Sequence, residues 1–415
     1  MTGIVSNSVR SPDSQRLAVP AVGGNWLNVV THLDPKYGGL SAAVPALANS
    51  VSQAGRFSTS VAGFCAAGEH FKPLTATGVP IDQLPLGRLS WIKNPASRQA
   101  FHEMVDRSAG VHVHGIWEHS TSVAARRARS SKRPYIVSAH GMLERWALTN
   151  KRAKKIVYAA LIERANLQSA NCLHALTRAE AQDYRNFGLL NPIAVIPNGV
   201  DIPDHFSPDI FLDRFPDLRG KRLILFLGRI HFKKGLDILA QAWARIAAKS
   251  PDTHLVLAGP DSENTQSALE KQLAASGIAH RVKFTGMLQH DLKWSALSAA
   301  ECFVLPSYSE GLSVSVLEAM GAGLPVIVTK QCNLPEVDEY DCGWVIQPRA
   351  DELASALSEL LRASSREIAE MSARGRELVA RRYSWQVIGE QMSAVYGWLN
   401  GGAAPSQVEL QERLV

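Results

Sequence analysis

Short, continuously apolar runs alternate with helix-like segments along almost the whole chain, and they do so twice. The runs Leu225–Leu227 and Leu255–Ala258 hold no polar position. Strands of this kind are buried on both faces, the condition of a parallel sheet covered by helices. In the first half, strands are expected at Trp26–His32, Ser58–Phe64, Val111–His114, Tyr135–Ser138 and Cys172–Ala175, with a helix over Leu40–Ala54. A second alternation begins after Ile196-Pro197-Asn198-Gly199-Val200-Asp201. Its strands are expected at Leu223–Leu227, His254–Ala258, Val282–Phe284, Cys302–Leu305 and Pro325–Val328. Helical runs follow Gly235, Asn264, Asp291 and Ser313, and two more lie near Asp351–Ala363 and Trp385–Leu399. The fold class is therefore α/β, with two Rossmann-like, doubly wound halves in tandem. The expected division is a flexible tail at 1–22, a first domain at 23–198 and a second at 199–384. A helix at 385–400 then crosses back to the first domain, and 401–415 is a loose end.

Composition narrows the class. A chain of 415 residues that is 46% hydrophobic and 20% charged has enough apolar mass for two cores. It is neither disordered nor fibrous. No apolar run nears the ~18 residues of a membrane-spanning helix. Five cysteines, with no CxxC among them, argue against a disulfide framework and for a reducing, cytoplasmic setting. The net charge of +6 hides an asymmetry: residues 1–200 carry 22 basic and 11 acidic side chains, residues 201–415 carry 22 and 27. Such a split points to different partners for the two halves.

No GxxxxGK[ST] loop and no GxGxxG turn follows a strand, which disfavours P-loop and dinucleotide chemistry. Two other segments carry the argument. From Phe303 to Gly321 the chain reads as buried strand, short loop, then helix, with Glu310 in the loop and Glu318 on the helix. The amides of Gly311, Leu312 and Ser313 stand at the helix start, where backbone N–H groups favour an anion. A carboxylate repels phosphate, so Glu310 is suited to vicinal hydroxyls. Each glutamate alone is more simply a cap or a solvated side chain; the pair in this setting is better read as functional. The second segment, Gly228-Arg229-Ile230-His231-Phe232-Lys233-Lys234-Gly235, follows a strand and opens a helix. Arg229 and Lys234 there are placed to neutralise a diphosphate, with Lys233 the bystander. His112 and His114 share one strand face, but no third ligand at recognisable spacing accompanies them, so no metal is expected. His114 is expected to line the cleft.

These motifs, in this order, resemble the retaining, metal-independent glycosyltransferases of GT-B fold, family four. The resemblance rests on Gly38-Gly39-Leu40, His140, Ile196–Asp201, Gly228-Arg229 with Lys234-Gly235, Leu257-Ala258-Gly259, Phe284-Thr285-Gly286 and the Glu310/Glu318 pair. It covers nearly the whole chain. It implies two domains facing a central cleft and a nucleoside-diphosphate sugar as donor substrate, with no cofactor. It implies that Glu310 contacts the sugar, Glu318 the ribose, and Arg229 and Lys234 the diphosphate. Gly286, Met287 and Leu288 would read the base through their backbone, and the amides of Gly311, Leu312 and Ser313 would touch phosphate and sugar. Gly38 and Gly39 would close over the diphosphate, and His140 would contact the sugar near the anomeric carbon. Asn198 joins His114 as a weaker cleft candidate. The reaction implied is transfer of a hexose to a glycan or lipid-diphosphate-linked acceptor, in surface polysaccharide or glycolipid synthesis.

The acceptor side adds one clue. Trp146, Lys151, Arg152, Lys154 and Lys155 surround an apolar stripe at helical spacing, a pattern equally suited to an anionic membrane and to a solvated surface helix. The basic excess of the first half favours peripheral contact with the inner face of a cytoplasmic membrane. Alternatives are a sugar-nucleotide 2-epimerase or a phosphorylase on the same fold, or a non-catalytic nucleotide-sugar binder. A phosphorylase needs a late lysine for pyridoxal phosphate, and none follows Lys330. Nucleic acid is not expected, since no aromatic–basic interleaving or zinc motif occurs.

Overall fold

The computed structural model describes residues 23–34, 39–66, 78–86, 95–144, 147–148, 155, 157–261 and 263–410. The tail at 1–22, Gly38, Trp146, Lys151, Arg152 and Lys154 lie outside them.

The apolar runs become two sheets. The first contains β1 (Asn25–His32), β2 (Ser58–Ala66), β3 (Ile81–Leu86), β4 (Gly110–His114), β5 (Tyr135–Ser138), β6 (Cys172–Ala175) and β7 (Ile193–Val195). The second contains β8 (Arg222–Leu227), β9 (Thr253–Ala258), β10 (Val282–Gly286), β11 (Cys302–Leu305), β12 (Val326–Thr329) and β13 (Gly343–Ile346). A last strand, β14 (Val408–Glu409), returns to the first sheet. The spatial orders are β14-β7-β6-β5-β4-β1-β2-β3 and β10-β9-β8-β11-β12-β13. All pairings are parallel except β14 with β7. Each sheet reverses direction of growth once, between β1 and β4 and between β8 and β11. In such sheets ligands bind in the crevice at the carboxyl ends flanking that point.

Helices cover both sheets. The first half carries α1 (Leu40–Gln53), α2 (Pro95–Arg107), α3 (His119–Ser130) and α4 (Arg178–Asn186). The second carries α5 (Leu236–Ile246), α6 (Thr265–Ala275), α7 (His290–Ala299), α8 (Val314–Gly321), α9 (Ala350–Arg362) and α10 (Ser365–Arg382). The last helix is α11 (Trp385–Leu399).

Alternation along β1, β4, β5 and β6 divides the first core in two. Leu27, Val29, Val111, Val113 and Val137 pack with Phe101, Ala124 and Ala128 of α2 and α3. Trp26, Ile136 and Cys172 face the other way, against Leu47 and Val51 of α1 and Ile388, Met392 and Tyr396 of α11. The Tyr396 ring stacks on Trp26 at 3.9 Å, with 4° between planes. The second core is one continuous cluster around β8, β9, β11 and β12.

Residues 401–410 are not a loose end. Val408 pairs with Ala194, and Val195 N donates to Gln407 O at 3.0 Å, so Val408–Glu409 forms an antiparallel edge strand on β7. A two-residue strand leaves no period to read. The edges also hide β3, whose Asp82, Gln83 and Pro85 break the apolar run; proline is tolerated in a strand only at such an edge.

Candidate active site

The two loops at the reversal point of the second sheet carry the sequence-predicted charges, and glycine lets them meet. Gly235 closes a tight turn at Phe232–Lys234 with φ +65°, and a Cβ there would stand 2.0 Å from Pro306 O. Tyr308 N donates to Lys233 O at 2.7 Å, stitching the β8 loop to the β11 loop. The latter is held from the far side as well. Thr329 Oγ1 donates to Ser307 O at 2.6 Å, and Asn333 Nδ2 to Glu310 O at 2.6 Å.

On this support Lys234 Nζ donates to Glu310 Oε1 at 2.6 Å, and Ser307 Oγ donates to the same oxygen at 2.6 Å. Glu310 keeps 12% of its side chain exposed and Lys234 18%. Glu318, on α8, receives Lys293 Nζ from α7 at 2.6 Å. Each glutamate thus has its own lysine. Lys293 was not singled out by sequence, because a lysine nine residues before a strand has no local signature. Ser313 precedes α8 in extended conformation and its side chain does not cap the helix. Gly311, Leu312 and Ser313 therefore bring their amides to the helix start beside Glu310. Arg229 stands exposed past the end of β8. Gly286 (φ +70°) ends β10, with Met287 exposed and Leu288 buried after it. Gly39 caps α1 with open space where a Cβ would be.

The first half approaches this site with the segment after β5. His140 adopts φ +53°, unusual for a residue with a Cβ. Its neighbours hold it there. Ala139 N donates to Tyr184 Oη at 2.9 Å, and Gly141 N to Glu180 Oε1 at 2.8 Å. Glu180 also accepts from Leu176 N at 2.8 Å, and burial nevertheless pushes its carboxyl up. A few residues on, Glu144 Oε2 accepts from Ser309 Oγ at 3.0 Å, joining the halves. A cavity of about 270 Å³ lies between them, lined by Glu144, Glu180, Asp183, Ser309, Glu310 and Gly311 among others. The first half is basic as a whole, yet its wall here is acidic.

His140 is not alone. His114 Nδ1 lies 3.1 Å from His140 Nε2, and burial lowers the His140 pKa to about 3. His112 and His114 stack at 4.1 Å, and protein groups engage both ring nitrogens of each. Asn198 sits buried on the segment between halves, and no hydrogen bond joins it to the other candidates among the described residues. Lys155 donates to Ala147 O at 2.6 Å and lies over the Trp117 ring, while Val157 and Leu161 nearby are 58% and 75% exposed.

Comparison with known proteins matches this architecture. A family model described as glycosyl transferases group 1 matches residues 221–363, and one described as glycosyl transferase 4-like domain matches 38–199. A GDP-mannose-dependent phosphatidylinositol monomannoside mannosyltransferase from Corynebacterium glutamicum is 31% identical over 216 residues, 48% of this chain and 55% of that protein. The gpi3 subunit of phosphatidylinositol N-acetylglucosaminyltransferase from Schizosaccharomyces pombe is 29% identical over 214 residues, 50% of this chain and 44% of that one. The chain thus spans about half the length of the curated relatives it matches. Among solved structures, sucrose-phosphate synthase from Thermosynechococcus elongatus superposes with a TM-score of 0.71 at 20% identity, over 91% of this chain and 99% of that one. HepE from Anabaena, solved with UDP-glucose, gives 0.67 at 18% identity, over 90% and 100%. The fold is GT-B, and with one family model on each half the chain belongs to the group 1 glycosyl transferases.

Proposed function

We propose that the protein transfers a hexose from a nucleoside-diphosphate sugar to a glycan or lipid-linked acceptor, in glycolipid or surface-polysaccharide synthesis. The observation that carries this reading is the pair of lysine-bound glutamates, Glu310 with Lys234 and Glu318 with Lys293, flanking the amides at the start of α8.

Each part has a job that follows from its chemistry. Glu318, held by Lys293, accepts hydrogen bonds from the ribose hydroxyls. Glu310 accepts from sugar hydroxyls, and the Lys234 charge beside it offsets the repulsion its carboxylate would exert on a diphosphate. Arg229 and the amides of Gly311, Leu312 and Ser313 stabilise the charge that grows on the departing diphosphate. Gly39 and the glycine before it cover the diphosphate, and the backbone of Gly286, Met287 and Leu288 meets the base. His140 meets the sugar near its anomeric carbon. Glu310 is already committed to Lys234 and Ser307, which suits it to positioning rather than to nucleophilic attack. The acceptor then attacks from the face the diphosphate leaves, with retention, and a leaving-group oxygen takes its proton. Catalysis rests on placement and charge stabilisation, with cationic side chains in place of a divalent metal.

Incubation of the protein with UDP-, GDP- and ADP-hexoses and a lipid-linked acceptor, before and after EDTA, tests this. Transfer with the anomeric configuration kept, unchanged by EDTA, is the expected result. A C2 epimer formed from donor alone, or binding without turnover, would replace the reading. For the membrane, the exposed Val157 and Leu161 beside the basic stretch ending at Lys155 support docking on an anionic leaflet. Failure to sediment with anionic vesicles at low salt would sink that part.

A further inference from the structure

A row of polar side chains crosses the first sheet on the face that α11 covers. His174 Nε2 meets Ile196 O at 2.7 Å, and His174 Nδ1 meets Ser138 Oγ at 2.7 Å. Ser138 Oγ meets His112 Nε2 at 2.7 Å, and His112 Nδ1 meets Tyr396 Oη at 2.9 Å. On the far side of Tyr396, the Asn28 amide lies 3.5 Å from Oη and 3.1 Å from His114 Nε2. His114 Nδ1 lies 3.1 Å from His140 Nε2. His140 Nδ1 ends the row, buried and without a partner among the described residues.

Each link holds one hydrogen, so the row can be solved from its anchored end. A carbonyl oxygen only accepts, hence His174 Nε2 carries the hydrogen and Nδ1 is bare. Ser138 must then donate to His174, and so accepts from His112 Nε2–H. The bare His112 Nδ1 takes the Tyr396 hydroxyl hydrogen. Tyr396 has nothing left to give Asn28. With the amide oxygen turned toward it, two oxygens would face each other at 3.5 Å, and Asn28 Nδ2 would be a buried donor without a partner. The two ends of an amide are isosteric, and the network decides between them. With Nδ2 turned inward, its two hydrogens serve Tyr396 Oη and His114 Nε2. The group left unpaired is then a carbonyl oxygen, tolerated better than an orphaned N–H. His114 therefore carries its hydrogen on Nδ1 and gives it to His140 Nε2.

We infer that Asn28 and Tyr396 act as positioning residues, fixing His140 as the neutral Nδ1–H tautomer, so that a ligand oxygen that reaches this buried nitrogen meets one N–H donor and no lone pair. The groups facing the row are the four imidazoles, Ser138, Tyr396 and Asn28; among the described residues no carboxylate or lysine joins it. Full burial favours the neutral form of each ring. A neutral donor orients an oxygen of the ligand without adding a charge to compete with Arg229 for the diphosphate. That this oxygen belongs to the sugar rests on the transfer reading; the tautomer does not.

Long-range 1H–15N correlation of the histidine rings in the full chain tests the tautomer without turnover, with His140→Gln identifying the His140 signals. The expected pattern is Nε2–H for His112 and His174, and Nδ1–H for His114 and His140. An Nε2–H signal for His140 would overturn the inference. Asn28→Asp places an acceptor-only group against His114, and should convert both His114 and His140 to Nε2–H. Turnover should fall about tenfold, the weight of one net hydrogen bond, with less change in donor KM. Tyr396→Phe keeps the ring on Trp26 but frees the amide to turn, and should give a mixture at His140 even if the aspartate variant does not fold. An unchanged His140 signal in Tyr396→Phe would refute the positioning role. A reversed tautomer with normal turnover would remove His140 from contact with the sugar while leaving the network as solved.

Discussion

Single side chains here are set by their partners more than by their own type. Lys234→Ala would leave the Glu310 side chain, 12% exposed, with Ser307 as its one remaining side-chain partner among the described residues. Transfer should fall by about 100-fold or more, as when one charge-stabilising group is lost, and stability by about 1–3 kcal/mol in urea unfolding. Adding Glu310→Gln should restore most of the stability and none of the activity. Gly235→Ala should hurt activity too, since its Cβ would meet Pro306 O at 2.0 Å and part the two loops. Glu163 makes a different case. It accepts from Trp117 N at 3.3 Å and Ser122 Oγ at 3.2 Å, yet burial raises its pKa from 4.5 to about 7. The folded state therefore holds this proton more tightly than the unfolded one. Stability falls as pH rises from about 4.5 to 7, and the penalty persists above that. Glu163→Gln should be more stable than the parent at pH 8, by up to about 3 kcal/mol, and equal to it near pH 4. A gap of the same size at both would exclude proton linkage. Glu310 and Glu318 were legible because they frame a strand–loop–helix boundary. Lys293, Asn333 and Glu144 were not, since each reaches the site from an element far off in sequence.

Elements were legible where burial is complete. β5, β6 and β11 have the bounds their apolar runs imply. α10 shows the opposite: its apolar positions are sparse, and the one local sign was its start, where Ser364 and Glu367 form a reciprocal cap. The contact of α1 with α11 depends on a residue with no pattern at all. A Cβ on Gly389 would stand 2.4 Å from Ser50 O. Gly389→Ala should separate the helices and cost about 1–3 kcal/mol, read as a lower unfolding midpoint with the second half unaffected. The histidine row under α11 predicts acid sensitivity. Burial lowers His140 to about 3 and His174 to about 4, against 6.5 for a free ring. Protonation then favours the unfolded chain, so stability drops as pH falls below about 6.5 and continues to drop toward the folded-state values. Calorimetry should show proton uptake on unfolding from these two rings that rises from about one at pH 6.5 to roughly two near pH 5. No uptake would mean that they are charged in the fold.

At the scale of the molecule, the charge asymmetry of the two halves was visible in the sequence, but its placement was not. The basic half turns Glu144, Glu180 and Asp183 to the cavity shared with Glu310, and its Arg178 to a neighbouring one shared with Leu312 and Asn333. The loops after β5 and β11 meet across one cavity, through Glu144 and Ser309, a juxtaposition that no single segment displays. The path of the chain has a last consequence. It leaves the first half near Val200 and returns beside the same point, where Val200 N donates to Tyr383 O at 2.8 Å and Val200 bridges Ser384. Backbone order and spatial neighbourhood therefore part company: the final segment of the polypeptide is a structural piece of the opening one. A protease nick between 201 and 208 would break the covalent thread without parting the molecule, since α11 and β14 would still clasp the first sheet. The nicked protein should elute as one species from a sizing column and fall into two fragments only in denaturant.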